Sequence, residues 1–342
     1  MKKYILMLAV LLAATGHSFA QNEIQPTSKW TASRPDGHAP ISVMADHVHH
    51  KGEWMFSYRF MSMNMKGLHS GTDEVSTTAV LENYMISPEE MNMNMHMLGA
   101  MYAPTDRLTL MAMTNFISNE MELVTRMGAA FNTSSSGFGD LKFSGLYQLF
   151  NRRKQSLHGQ LGVSLPTGSI EEMDVTPMSA PNETSLPYPM QIGSGTFDGE
   201  AGLTYLIQGN FLSFGSQLTT LLRFGKNEYD YSFGNQYQLN NWIAAKLANS
   251  LSISGRVQGI IVEKIEGAHP GLNMMMVPAA NPENSGGKYI NAGLGTNFYI
   301  PSGAFKNVRF ALEYAFPLYQ DLNGIQLKNR STFTAGVQYS FH

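Results

Sequence analysis

The fold is decided by the chain end, Thr332-Phe333-Thr334-Ala335-Gly336-Val337-Gln338-Tyr339-Ser340-Phe341. Successive side chains of an extended chain point to opposite faces. Phe333, Val337, Tyr339 and Phe341 therefore share one apolar, aromatic face, and Thr334, Gln338 and Ser340 share a polar one. A strand with lipid outside and water inside needs this division.

The same alternation recurs upstream. Val308, Phe310, Leu312, Tyr314 and Phe316 oppose Arg309, Ala311, Glu313 and Ala315. Ile290, Leu294, Phe298 and Ile300 oppose Asn291, Gly293, Gly295 and Asn297. Near the start, Trp54, Phe56, Tyr58 and Phe60 oppose Met55, Ser57, Arg59 and Met61. About twelve such segments are expected, near 53–65, 91–103, 107–117, 138–149, 156–165, 197–208, 211–224, 235–247, 250–264, 289–300, 307–318 and 331–341; most are close to the ~9–11 residues of a tilted spanning strand.

Their connections alternate in length. Long ones fall near 66–90, 118–137, 166–196, 225–234, 265–288 and 319–330, and short ones near 104–106, 151–155, 209–210, 248–249 and 301–306. Short turns at one end and long loops at the other are the rhythm of a bacterial outer-membrane barrel. The expected fold over 53–342 is therefore all-β: a transmembrane antiparallel up-and-down β-barrel.

Lys2 and Lys3, the apolar run Tyr4 to Ala14, and Ser18-Phe19-Ala20 predict a cleaved signal peptide over 1–20, since the run is too short to span a membrane and small residues follow at once. Residues 21–52 are polar, contain Pro26, Pro35, Gly37 and Pro40, and keep no period. They are expected to form a periplasmic extension or a plug. The chain has no Cys, 14% charged residues and a formal net charge of −3. This excludes a disulfide scaffold and gives no basic footprint for nucleic acid. The expected setting is a bacterial outer membrane, with lipid as the surrounding partner.

Methionine is the anomaly: fifteen of the 23 lie between Met44 and Met127. Met61, Met63 and Met65 alternate, as do Met91, Met93, Met95 and Met97, and Met111 and Met113, so each series is a stripe on one strand face. The aromatic and leucine residues beside them claim the lipid side and send the stripes inward. That register turns Asn92, Asn94 and His96 outward, which requires either a strand projecting beyond the membrane or a bulge. Asp46-His47-x-His49-His50, with His38 upstream, adds imidazoles. Thioethers suit Cu(I) or Ag(I) and imidazoles suit Cu(II), whereas methionine also serves as flexible apolar lining.

Two short motifs carry a resemblance. Ser136-Gly137-Phe138-Gly139-Asp140-Leu141-Lys142, followed by Leu146-Tyr147, and Ser164-Leu165-Pro166-Thr167-Gly168 resemble strand motifs of the outer-membrane family linked to the meta pathway of phenol degradation. His38-Ala39-Pro40-Ile41 through Met55, with Met95-His96-Met97-Leu98-Gly99-Ala100-Met101-Tyr102-Ala103-Pro104, resembles a Met-rich branch of it. The resemblance implies an outer-membrane barrel passing small solutes, with no catalytic residues to carry over.

The leading expectation is a channel for a small apolar or aromatic solute, with Arg59, Asp140, Lys142, Arg223, Arg256 and Glu313 as inward polar candidates; charges in a pore set its selectivity. The alternative is a barrel that binds or exports copper or silver as cargo through Met61, Met63, Met65, Met91, Met93, Met95, Met97, Met111, Met113, His47, His49 and His50. No resident cofactor is expected. A structural or enzymatic barrel is the minor alternative, because no nucleophile–base arrangement can be read from the chain.

Overall fold

The computed structural model describes residues 29–341; the expected signal peptide lies outside the described residues. The alternating segments become wall strands: β1 (Trp54–Gly71), β2 (Ile86–Thr105), β3 (Leu108–Thr125), β4 (Ala130–Phe138), β5 (Leu141–Arg152), β6 (Gln155–Leu165), β7 (Phe197–Gln208), β8 (Leu212–Phe224), β9 (Gln236–Lys246), β10 (Leu251–Val262), β11 (Gly287–Tyr299) and β12 (Val308–Phe341). Consecutive strands pair antiparallel, except that β4 and β5 share β3 as neighbour, and β12 pairs with β1 to close the ring.

Two details set the count of wall strands. β4 and β5 both pair with β3, at different heights, Phe116 to Val124 and Leu108 to Met113. They are one wall strand broken at Gly139-Asp140. Gly139 donates to the Asn115 carbonyl at 2.9 Å, and a Cβ there would fall 2.2 Å from the Asn115 side-chain oxygen, so any larger residue would displace the Asn115 side chain. β12 has 34 residues, about 110 Å if straight, against the ~30 Å hydrocarbon core. It is a hairpin: Arg309 to Leu322 pair with β11, and Leu322 to Phe341 pair with β1. Gly324, at φ +62°, turns it. The ring of eleven strand segments thus has twelve passes across the wall.

The outer face carries Phe56, Leu98, Leu110, Leu161, Leu218, Ile243, Val257, Leu294 and Leu312, all exposed; His158, Asn240 and Asn297 on the inner face are fully buried. Exposed apolar side chains outside and polar ones inside match a lipid-facing wall. The architecture is a closed antiparallel transmembrane β-barrel.

Three expected loops are largely strand. The segment 118–137 continues β3 and β4, leaving a turn of 126–129. In 319–330 the chain stays extended on both sides of Gly324, and 66–90 contains the end of β1, the helix α1 (Thr77–Asn83) and the start of β2. The reason is physical. Above the bilayer the outer face meets water, and the inner face is covered by loops. There Glu120 and Glu122 point out while Met121 and Leu123 are buried inside. The apolar-outside signal inverts, although the strand does not stop.

The register between β1 and β2 is unbroken from Trp54–Tyr102 to Lys66–Glu90. No bulge turns the second methionine stripe. Asn92, Asn94 and His96 share the outer face, where Asn64 donates to Asn92 Oδ1 at 2.8 Å and Lys66 pairs with Glu90 at 2.7 Å. This polar ladder stands beyond the Tyr58–His96 contact of 2.8 Å, as projecting strands require.

Candidate functional site: a lumen with two internal closures

Residues 30–49 run inside the barrel at the short-turn end. Trp30 N–H donates to Asn151 Oδ1 (2.9 Å), Ser213 Oγ to Asp36 Oδ2 (2.6 Å), Ser252 Oγ to the Pro35 carbonyl (2.8 Å) and Gln217 Nε2 to the Met44 carbonyl (2.8 Å). His158 Nε2 lies 2.9 Å from the Ala45 carbonyl, and His49 N–H donates to Thr109 Oγ1 at 2.9 Å. Arg309 donates to the Ala39 carbonyl. These ties reach β3, β5, β6, β8, β10 and β12, so the segment is held around most of the wall. A strand lumen of this size needs polar fill, and a proline-bearing segment with few internal hydrogen bonds supplies free carbonyls for it.

The other closure is built by the long loops. Ile86, Met91, Met121 and Leu123 of the wall pack with Leu186, Met190, Val277 and Ala280 of the loops. Tyr188, Tyr231 and Ile265 form a second cluster beside it. Between the closures lies a cavity of about 570 Å³. Ser42 of the internal segment floors it, and Tyr188, Ile265 and Ala279 roof it. One side presents Met61, Met63, Met65, Met91 and Met121, and another presents Gln238, Gln258 and Asn291.

Register explains the methionine side. Met61 pairs with Met95, Met63 with Met93, and Met65 with Met91, which in turn pairs with Met121. Directly opposed residues share a face at Cα separations of ~4.5–5.5 Å. The stripes therefore join into a ladder of thioethers. Met111 and Met101 also pair, but lower, where they pack with Met55, Leu146 and Ala45 of the internal segment, with Met113 at the margin. Met95 accepts from Asn115 Nδ2 through sulfur at 3.4 Å, and Met97 lies opposite Arg59. Met91 to Met101 spans about 33 Å of strand, so the methionines do not form one ligand set.

The polar candidates have specific partners. Arg256 Nε lies 2.7 Å from Glu313 Oε1 and its Nη1 donates to Asn240 Oδ1 at 2.9 Å, while Glu313 also accepts from Ser42 N–H at 3.2 Å. Arg223 pairs with Asp198, and Lys142 with Glu200 at 3.0 Å. Arg59 is buried without an ion-pair partner within 4 Å among the described residues. Asp140 does not line the open lumen: its two oxygens accept the Gly168 and Ser194 N–H groups at 3.0 and 2.9 Å and staple loop 166–196 to the strand break. His50 does not join the other histidines. It is exposed at the first turn, 3.7 Å from Asp106.

The remaining histidines cluster in the internal segment. The rings of His38 and His47 are 4.9 Å apart, and those of His47 and His49 are 4.7 Å apart. Asp46 Oδ1 is 2.9 Å from His47 Nδ1, and its Oδ2 accepts the Ala39 N–H at 3.0 Å. Burial, reinforced by the Arg309 charge, pushes His38 down to about 3. Burial also lowers His49, against the hydrogen bond to Glu53. Both rings are thereby kept neutral at physiological pH.

The amide side of the cavity and Met121 were not among the sequence candidates. Gln238 and Gln258 could be read from strand alternation, as inward partners of outward Tyr237 and Val257. Met121 was hidden by the inverted pattern above the membrane.

No family model matches the chain, and no curated protein matches it. Solved structures do. An outer membrane channel from Pseudomonas putida F1 superposes with a TM-score of 0.60 at 12% identity, covering 87% of this chain and 99% of that one. A Pseudomonas aeruginosa FadL homologue gives 0.43 at 11% identity, over 94% and 100%. A mutant of the monoaromatic hydrocarbon channel TodX gives 0.43 at 10%, over 85% and 91%. At such identities the first likeness establishes the fold: a β-barrel of outer-membrane type.

Proposed function

We propose that the chain is a bacterial outer-membrane channel for a small, largely apolar solute that carries an uncharged polar group. The observation that supports this most strongly is the cavity between the two closures. Its methionine ladder offers a polarizable, conformationally adaptable apolar surface. Its amide side offers donors and acceptors without net charge. Of the charged residues that also reach it, Arg223 and Arg256 are neutralised by Asp198 and Glu313, and Glu263 is exposed and accepts from Asn235 Nδ2 at 2.8 Å. Ligand sites are commonly mostly apolar concavities of ~300–1,000 Å³ with a few placed polar groups. A phenol-like molecule, as in the resemblance to the phenol-degradation family, has the matching chemistry.

Uptake of a labelled monoaromatic alcohol by a deletion strain tests this. Wild-type complementation is expected to restore uptake, and Met61→Trp with Met63→Trp, which fills the cavity, to abolish it. Equal uptake by the empty and complemented strains would contradict the reading. The registered pairs Met61–Met95 and Met63–Met93 also favour a second reading, passage of Cu(I) or Ag(I) along thioethers. Leucine replacements separate the two, since an apolar solute tolerates Leu and a soft ion does not.

A further inference from the structure

We propose that the internal segment holds a divalent transition-metal ion on His38, Asp46, His47 and His49, and that this ion locks the segment in its folded path. The site is separate from the methionine ladder and from the solute cavity.

Its geometry is close to that of a ligand set. Ligand atoms of His38, Asp46 and His47 all lie within 4.8 Å of one another, and all three residues are buried. His38 Nδ1 is 3.8 Å from Asp46 Oδ2. Metal–nitrogen and metal–oxygen bonds of ~2.0–2.2 Å place neighbouring ligand atoms about 3–4 Å apart, so modest side-chain rotation closes the set.

The second observation is independent. His38 Nδ1 and His49 Nε2 are buried and have no hydrogen-bond partner. An unpaired buried polar atom is costly, and two of them in one cluster call for a common partner. Neutral imidazole nitrogen has a lone pair to offer, and an ion takes it. His49 is also oriented for this role: its Nδ1 is 3.2 Å from Glu53 Oε1, leaving Nε2 free. Metal-binding histidines characteristically direct their other nitrogen to a carboxylate or carbonyl.

Charge and ligand type define the ion. Asp46 in the set and Glu53 behind His49 supply two negative charges against a dication. Two buried guanidiniums feel the Asp46 charge: Arg309 is occupied by Asn297, Gln338 and the Ala39 carbonyl, and Arg59 has no carboxylate within 4 Å among the described residues. Three imidazoles and a carboxylate suit Zn(II), Co(II), Ni(II) or Cu(II), not the thioether-loving Cu(I). Bound there, the ion joins residues 38 and 46–49 and closes the loop that Asp46 already ties to the Ala39 N–H.

The test uses the full chain, folded in detergent, stripped with chelator and titrated with Co(II), reading visible d–d absorption, with metal content counted after gel filtration. A single equivalent is expected. His38→Gln with His47→Gln is expected to lose it. Glu53→Gln, which removes only the orienting carboxylate, is expected to weaken binding about tenfold or more. His50→Ala is expected to bind like wild type. Barrel folding is read in parallel from heat-modifiable gel migration; if the double variant fails it, His49→Gln takes its place with the same expectation. Folded wild type that takes up no Co(II), or uptake undiminished in the folded histidine variants, would overturn the proposal and leave His47 as a hydrogen-bond partner of Asp46 and His49 as one of Glu53.

Discussion

The two ends of the lumen are filled by opposite kinds of chemistry. At the short-turn end, residues 30–49 are fixed by directional bonds to side chains on at least six strands, and the buried charges Arg256 and Glu313 brace one another and Ser42. At the long-loop end, closure rests on apolar contact among Met91, Met121, Leu186, Met190 and Val277. Directional polar networks specify one arrangement and penalise every partial one. Methionine packing is tolerant of change. The difference teaches that one end is built to stay in place, and the other to adapt to what lies beneath it.

Changes at three places sharpen this contrast. The largest effect is expected at Glu313. Glu313→Ala leaves the Arg256 charge buried and unpaired and should destabilise the fold by about 3–5 kcal/mol, read by denaturant unfolding in detergent. Arg256→Met with Glu313→Leu should recover most of that loss, because neither charge then remains. A smaller effect follows at Asp140, whose carboxylate holds two backbone N–H groups of the 166–196 loop. Asp140→Asn should cost about 1.5–3 kcal/mol of loop anchoring, seen as faster proteolysis within that loop while the barrel stays resistant. The smallest is expected on the methionine ladder. Met63→Leu with Met93→Leu should change stability by less than about 1.5 kcal/mol and leave apolar uptake within a few-fold of wild type. A loss as large as that of Glu313→Ala would show that the two ends are not built differently.

The barrel was legible because a wall between lipid and water imposes a two-residue period on every pass. Where that boundary ends, so does the signal. Glu120 and Glu122 outside with Met121 and Leu123 inside look like loop sequence, yet they are strand. The inward direction of the stripes could be read from Phe56, Leu98 and Leu110, but their registration into a ladder could not, because pairing between β1, β2 and β3 is a property of the assembled sheet. Asp140 looked like a lumen charge from its place in an alternating run. The strand breaks one residue before it, and its oxygens turn to the loop. The internal segment has no period, and only its contacts with distant strands reveal its place. For the same reason His50, adjacent in sequence to His49, falls outside the cluster that His38 joins from eleven residues away.

The central claim is that the lumen is sealed at its short-turn end by residues 30–49 and leaves an apolar chamber above. Single-channel conductance in planar bilayers tests it most directly, comparing the full chain with a variant lacking residues 29–50. The full chain should show almost no open-channel current, and the deletion, folded by gel migration, should conduct at least tenfold more. Equal conductance of the two would contradict the account.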